Sequence, residues 1–281
     1  MKKYFFVFTA IFVAIMLIGI NVADAQWRSP THDVYNAPTG IDVEIDGNLD
    51  EWDGVLDFVT GTDGEPFCGV EFEGREGEVK VWEDWGGGTW SGPEDQTTCF
   101  MIVWDADAVY LAISVTDDEH QNSGAAWNGD SIQINVVPSG IREAGQPFFL
   151  YNVALNENGD ILLHNERLNG QPGLVSGDDI AIVRDEDSKT TNYEYRFTPA
   201  NFGLDIALTE GLEIGLGICV NDGDKAAGQG GQKGWSGWNP HTVVHGKNPE
   251  KTGLIVLTNA ITAVEPQNKL TTTWGTIKAV K

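Results

Sequence analysis

Trp104-Asp105-Ala106-Asp107-Ala108-Val109-Tyr110-Leu111-Ala112-Ile113-Ser114-Val115-Thr116-Asp117-Asp118 is the stretch that decides the fold class. From Ala108 to Thr116 nearly every residue is apolar or β-branched, and the polar ones do not recur at helical spacing. Phe100–Asp105 before it has the same character, and the short acidic link Asp105-Ala106-Asp107 joins the two as a hairpin. The signature recurs outward in both directions. Strands are expected at Ile41–Ile45, Val79–Trp82, Ser131–Val137, Phe148–Leu155, Asp160–Asn165, Ile180–Arg184, Asn192–Phe197, Glu213–Asn221 and Gly253–Leu257. Asn158-Gly159 is a two-residue hairpin signal between Phe148–Leu155 and Asp160–Asn165. Helical periodicity is nearly absent. Many short strands with turn residues between them predict an all-β chain, a two-sheet antiparallel β-sandwich.

The flanks predict the compartment. Lys2 and Lys3 precede an apolar run from Tyr4 to Ile20, and Ala23-Asp24-Ala25 follows as a small-x-small cleavage site. This layout reads as a signal peptide over residues 1–25, with the mature chain starting at Gln26. A transmembrane anchor is the weaker reading, because the run is only just long enough to span and ends at a cleavage site. The expected location is extracellular, at the cell surface or in the periplasm, with no membrane insertion after cleavage. The chain carries 42 acidic and 17 basic residues. So negative a field argues against nucleic acid and anionic lipid as partners.

Residues 61–98 are rich in glycine and acidic residues and carry Trp82, Trp85 and Trp90, so they read as an insertion in the sandwich. Residues 26–40 form an N-terminal segment. Residues 259–281 read as a linker, Glu265–Lys269, and a tail around Leu270–Lys278. The insertion and the tail are the places where a protein partner would dock. Cys68 and Cys99 form a candidate disulfide that closes the insertion, whereas Cys219 lies in an apolar run and reads as a buried thiol. Their spacing matches no zinc motif.

Ten tryptophans in one acidic all-β chain point to a ligand with flat apolar faces and many hydroxyls. Indole stacks on the C–H face of a sugar while Asp, Asn and Gln satisfy the hydroxyls. Trp104 and Trp52 fall in or beside strands and read as core. Trp127, Trp235 and Trp238 stand among Gly and Asn, as displayed rings would.

A resemblance adds to this reading. Ile45-Asp46-Gly47-Asn48-Leu49-Asp50-Glu51-Trp52 resembles the opening of family 9 carbohydrate-binding modules and related DOMON-like domains, with the tryptophan one place early. Trp104–Asp118 resembles their central hairpin, Trp127-Asn128-Gly129-Asp130-Ser131-Ile132-Gln133-Ile134 the strand opened by Trp-x-x-Asp-Ser, and Gly253–Leu257 the closing strand. The resemblance spans residues 41–258. It implies a sugar clamp of Trp127 with Trp238, or Trp235 in its place, and polar contacts from Asp117, Asn128 and Gln133. Gln133 stands where binding members tend to carry Glu. The resemblance also implies structural Ca²⁺. Asp46, Asn48 and Asp50 offer oxygens at alternate positions, as do Asp222 and Asp224; turn formation is the competing reading of both sets.

Other chemistries fit less well. No Gly-x-Ser-x-Gly elbow or nucleophile–His pairing is present, and one carboxylate pair among so many acidic residues proves nothing for a glycosidase. His241-Thr242-Val243-Val244-His245 has a β-branched interior that predicts a strand, which separates the two rings by about 13 Å, too far for one metal. Met101 lies beside Phe100 and Ile102 and reads as core, which disfavours a haem-binding electron-transfer domain. The sequence thus predicts an exported, non-catalytic glycan binder. The alternative is a surface adhesive or structural protein of the same fold.

Overall fold

The computed structural model describes residues 28–69, 82–85, 87–166, 170–224 and 232–262. The expected signal peptide, most of the expected strand Val79–Trp82, the middle of the 61–98 insertion and the tail from Glu265 onward lie outside them.

The strands are β1 (Val34–Thr39), β2 (Glu83–Asp84), β3 (Gln96–Trp104), β4 (Val109–Asp117), β5 (Ser131–Val137), β6 (Phe149–Leu155), β7 (Ile161–Glu166), β8 (Ile180–Asp185), β9 (Thr190–Phe197), β10 (Glu213–Gly223), β11 (Gln232–Trp238) and β12 (Gly253–Ile261). They form two sheets. The larger has eight strands in the order β1-β12-β10-β5-β6-β7, with β11 beside the far half of β10 and β2 beside β11. The smaller runs β3-β4-β9-β8. Every described pairing within the sheets is antiparallel except β1 with β12, which is parallel.

Period-two alternation fills the interior. Val109, Leu111, Ile113 and Val115 of β4 face Ile132, Ile134 and Val136 of β5 and Ile214, Leu216, Ile218 and Val220 of β10, all in one core with Tyr193, Tyr195 and Phe197 of β9. The opposite face of the smaller sheet is also covered. Met101, Val103, Tyr110 and Ala112 there pack under Leu49, Trp52 and Val55. Met101, Trp52 and Trp104 are therefore core side chains.

The expected strand Ile41–Ile45 is corrected: it joins no sheet. Its alternating Ile41, Val43 and Ile45 lie across the outside of the smaller sheet and pack on the Trp52 cluster, which satisfies the pattern without a ladder. The segment Asp46–Trp52 is fastened by one buried carboxylate. Glu194 Oε2 accepts the amides of Asp46 (3.0 Å) and Gly47 (2.6 Å), and Oε1 accepts the Trp52 indole N–H (2.8 Å).

β1 and β11 were not expected as strands. The region of β11 reads as a loop because of its glycines, yet those glycines serve close packing. A Cβ at Gly237 would stand 2.1 Å from the Ile218 carbonyl oxygen, and one at Gly234 would stand 2.4 Å from that of Glu83. The β6–β7 connection also differs from a two-residue hairpin. It runs from Asn156 to Asp160, with Asn156 N–H donating to the Asp160 carbonyl and Gly159 at φ 81°.

Cys68 and Cys99 are joined, their Cα atoms 3.9 Å apart and 31 positions separated in sequence. A loop of that length makes the bond worth about 3–4 kcal/mol by chain entropy. Cys68→Ser with Cys99→Ser is expected to lower unfolding free energy by that amount in guanidinium titrations. Cys219 is a buried free thiol.

Candidate functional site

Strand register puts a row of polar side chains on the outer face of the larger sheet. Gln133 of β5 pairs with Asn152 of β6, and Asn152 pairs with His164 of β7. Cys219 of β10 completes the row on the other side of Gln133. In each strand the neighbouring residues, such as Ile132, Ile134, Tyr151 and Val153, turn inward to the core. Trp127 stands beside this row. Its ring is 45% exposed and meets the His164 imidazole edge-on at 5.1 Å. Its carbonyl accepts Asn221 Nδ2 (3.1 Å), which also bonds Ser131 Oγ (2.6 Å), so the backbone beneath the ring is fixed. Asn128, half-buried, donates its backbone N–H to Ala125 in the same turn.

The row keeps unspent hydrogen-bonding capacity. Asn152 Nδ2 donates to the His164 carbonyl at 3.3 Å, but Asn152 Oδ1 is buried with no partner. Gln133 is half-buried and donates to Asn221 Oδ1 across a long 3.4 Å. A buried acceptor without a donor costs roughly 1–3 kcal/mol, which a ligand hydroxyl would relieve. The shallow concavity lined by Ser29, Asp33, Asn36 and Thr60–Thr62 has no such arrangement, and Asp33 there is paired with Arg142 at 2.6 Å.

Two expected clamp residues are corrected. Trp238 is fully buried, donates its indole N–H to the His32 carbonyl (2.7 Å) and packs on Tyr35 and Phe67. Trp235 is 3% exposed and lies under Trp85, ring centroids 5.1 Å apart. Neither offers a face to a ligand. Of the tryptophans on this sheet face, Trp127 and Trp85 are the exposed ones among the described residues.

Asp117 is not on the polar row. It continues the inward series Val109–Val115 to the end of β4, and Asp222 likewise continues Ile218 and Val220 of β10. Together with Asp130 they close one end of the interior. Asp117, His120 and Asp130 can each present one ligand atom within 4.8 Å of the others. Asp130 accepts the backbone amide of Gly223 (2.8 Å) and that of Gln121, and its carboxyl also lies beside that of Asp117 and beside His120 Nδ1, the latter at 3.4 Å. Asp117 Oδ2 and His120 Nδ1 are buried without hydrogen-bond partners. Burial pushes Asp117 up to about 6 and Asp222 up to about 7, and raises Asp130 well above the usual carboxylate range. Burial, reinforced by the Arg184 charge, lowers His120 to about 4.

The other expected metal ligands are used otherwise. Asp46, Asn48 and Asp50 are exposed and bond one another in turns: Asn48 N–H to Asp46 Oδ1 (2.7 Å), Asp50 N–H to Asn48 Oδ1 (3.3 Å), and Asn48 Nδ2 to Asp50 Oδ2 (3.2 Å). Asp222 Oδ2 accepts the Trp82 indole N–H (2.8 Å), while Asp224 pairs with Lys233 at 2.7 Å. They do not share a point. The strand expected for His241–His245 is corrected too: Pro240–Thr242 is a 3-10 turn, and the two imidazole centroids lie 5.8 Å apart.

The sequence by itself singles out no role for Asp130, His120, Asn152 or His164. Asp130 stands within the quoted Trp-x-x-Asp-Ser run, and Asn152 is a lone amide among apolar strand residues. Those were the available signals.

The chain is thus a sandwich of two sheets with an aromatic-flanked polar row on the outer face of the larger one. The profile of the family described as "Carbohydrate family 9 binding domain-like" matches residues 74–260, and the chain belongs to that family. A family 9 module from Caldicellulosiruptor kristjanssonii in complex with cellotriose is similar in structure, with TM-score 0.56 at 17% identity over 84% of this chain and all of that one. Its complex with glucose gives TM-score 0.51 at 17% identity, over 82% of this chain and all of that one. No curated protein matches the chain.

Proposed function

We propose that the chain is an exported, non-catalytic glycan binder that stacks a sugar ring on Trp127 and reads its hydroxyls with Gln133, Asn152 and His164. The observation that carries the reading is the exposed Trp127 ring beside a row holding a buried, unpartnered acceptor at Asn152. A stacked ring would cover the indole face while a hydroxyl reached the amide oxygen. The glucose and cellotriose bound by similar structures support a gluco-oligosaccharide as the ligand class. Lys2–Ala25 and the Cys68–Cys99 bond support export to an oxidising compartment. The test is a glycan array of residues 26–281, followed by calorimetry with glucose and cello-oligosaccharides. Saturable binding is expected; silence across the array would end the reading.

Calcium belongs to the same proposal. Asp117 and Asp130 supply hard carboxylate oxygens at the end of the interior, one of them without a hydrogen-bond partner, which suits Ca²⁺. Bound there, the ion would offset the repulsion of carboxylates that burial otherwise forces together. A Ca²⁺ concentration one hundred times Kd is expected to stabilise the fold by about 2.7 kcal/mol, raising Tm by several degrees. Asp130→Asn should remove most of that rise in a thermal scan against EDTA.

A further inference from the structure

His241, His245 and Glu83 come together beside the polar row, and neither the sugar site nor the Asp117 cluster uses them. Glu83 of β2 reaches a nitrogen of each imidazole: Oε1 contacts His241 Nε2, and Oε2 lies 3.9 Å from His245 Nε2. We propose that these side chains form a binding site for a divalent transition-metal ion of the zinc class.

Two imidazoles and one carboxylate are a zinc ligand set, and four-coordinate zinc then keeps one position open. The donors come from two separately anchored segments. β2 is held on β11 through Glu83↔Trp235 and Asp84↔Gly234, with Trp85 N–H donating to the Lys233 carbonyl at 2.6 Å. The His241 turn is held by Asn135 Nδ2 on the Thr242 carbonyl (3.0 Å) and by Asn248 Nδ2 on the His241 carbonyl (2.9 Å). The backbone supplies an independent sign. Among described non-glycine residues with positive φ, two bracket this segment: Asn239 at 54° and His245 at 56°. A histidine held there is uncommon, and such conformations persist where surrounding structure imposes them, often at functional sites. Access is graded as well. The His241 side chain is 3% exposed and that of His245 56%, so the inner ligand is fixed and the outer one can turn onto an ion arriving from solvent. Trp235 flanks His245 at 5.6 Å and walls the site on one side.

The test uses the tag-free mature chain, stripped with EDTA and titrated with Zn²⁺ by calorimetry, with Co²⁺ as a spectroscopic probe of imidazole ligation. His245→Ala and Glu83→Gln are each expected to weaken one Zn²⁺ equivalent at least tenfold and to reduce the Co²⁺ ligand-field band. Asp130→Asn should leave that equivalent intact. His245 is exposed, so its variant remains informative even if Glu83→Gln misfolds. The proposal is overturned if the wild-type chain binds no Zn²⁺, or if both variants bind it as tightly as wild type.

Discussion

Trp127→Ala is expected to weaken binding of a gluco-oligosaccharide at least 30-fold, measured by calorimetry, while Tm stays within about 2 °C of wild type. A stacked indole that anchors a ligand is typically worth about 2 kcal/mol or more on truncation, and every 1.4 kcal/mol is a factor of ten. Little folding energy is at stake, because Trp127 is 45% exposed and the His164 edge is its one ring contact among the described residues. The bond that fixes the turn runs from Asn221 to the Trp127 carbonyl and survives the substitution. Trp238→Ala should behave in the opposite way. It empties a fully buried site beside Tyr35 and Phe67 and should cost about 3–5 kcal/mol of stability. Equal affinity in wild type and Trp127→Ala would remove the polar row from consideration.

Glu194→Gln is expected to destabilise the fold by about 3 kcal/mol, read from chemical denaturation. The carboxylate accepts the Asp46 and Gly47 amides and the Trp52 indole, all donors, so nothing there can receive a bond from an introduced NH₂ group. Burial raises the Glu194 pKa, and these bonds oppose that shift by favouring the charged form. Loss of the fastening should loosen Leu49, Trp52 and Val55 from the outer face of the smaller sheet and expose Met101 and Tyr110 beneath. Unchanged stability would mean that Asp46–Trp52 is held by apolar packing alone.

The sandwich was legible because alternation is a local signal. β5 falls at Ser131–Val137 as expected, and β4, β6, β8 and β10 differ only at their ends. The site was legible only in part. Glycine and asparagine neighbours marked Trp127 correctly as displayed, but the same composition misplaced Trp235 and Trp238. Gly234 and Gly237 make room for adjacent strands, and sequence does not say whether a glycine frees a loop or admits a backbone. The Asp46-Asn48-Asp50 spacing suggested a cation, yet Asx side chains bonded to their own backbone produce the same spacing. The convergence of Asp117 with Asp130, or of Glu83 with His241, depends on long-range pairing and has no local signature.

The parallel pairing of β1 with β12 carries a mechanical consequence. Val34 lies beside Leu254 and Ala37 beside Leu257, so the chain enters the sheet at one end of this strand pair and leaves it at the other. Tension applied to the two flanks therefore slides β1 along β12 and loads their hydrogen bonds together. An antiparallel terminal pair would instead peel one bond at a time. A glycan held on the Trp127 face would be borne by a sandwich whose outer connections resist pulling in shear.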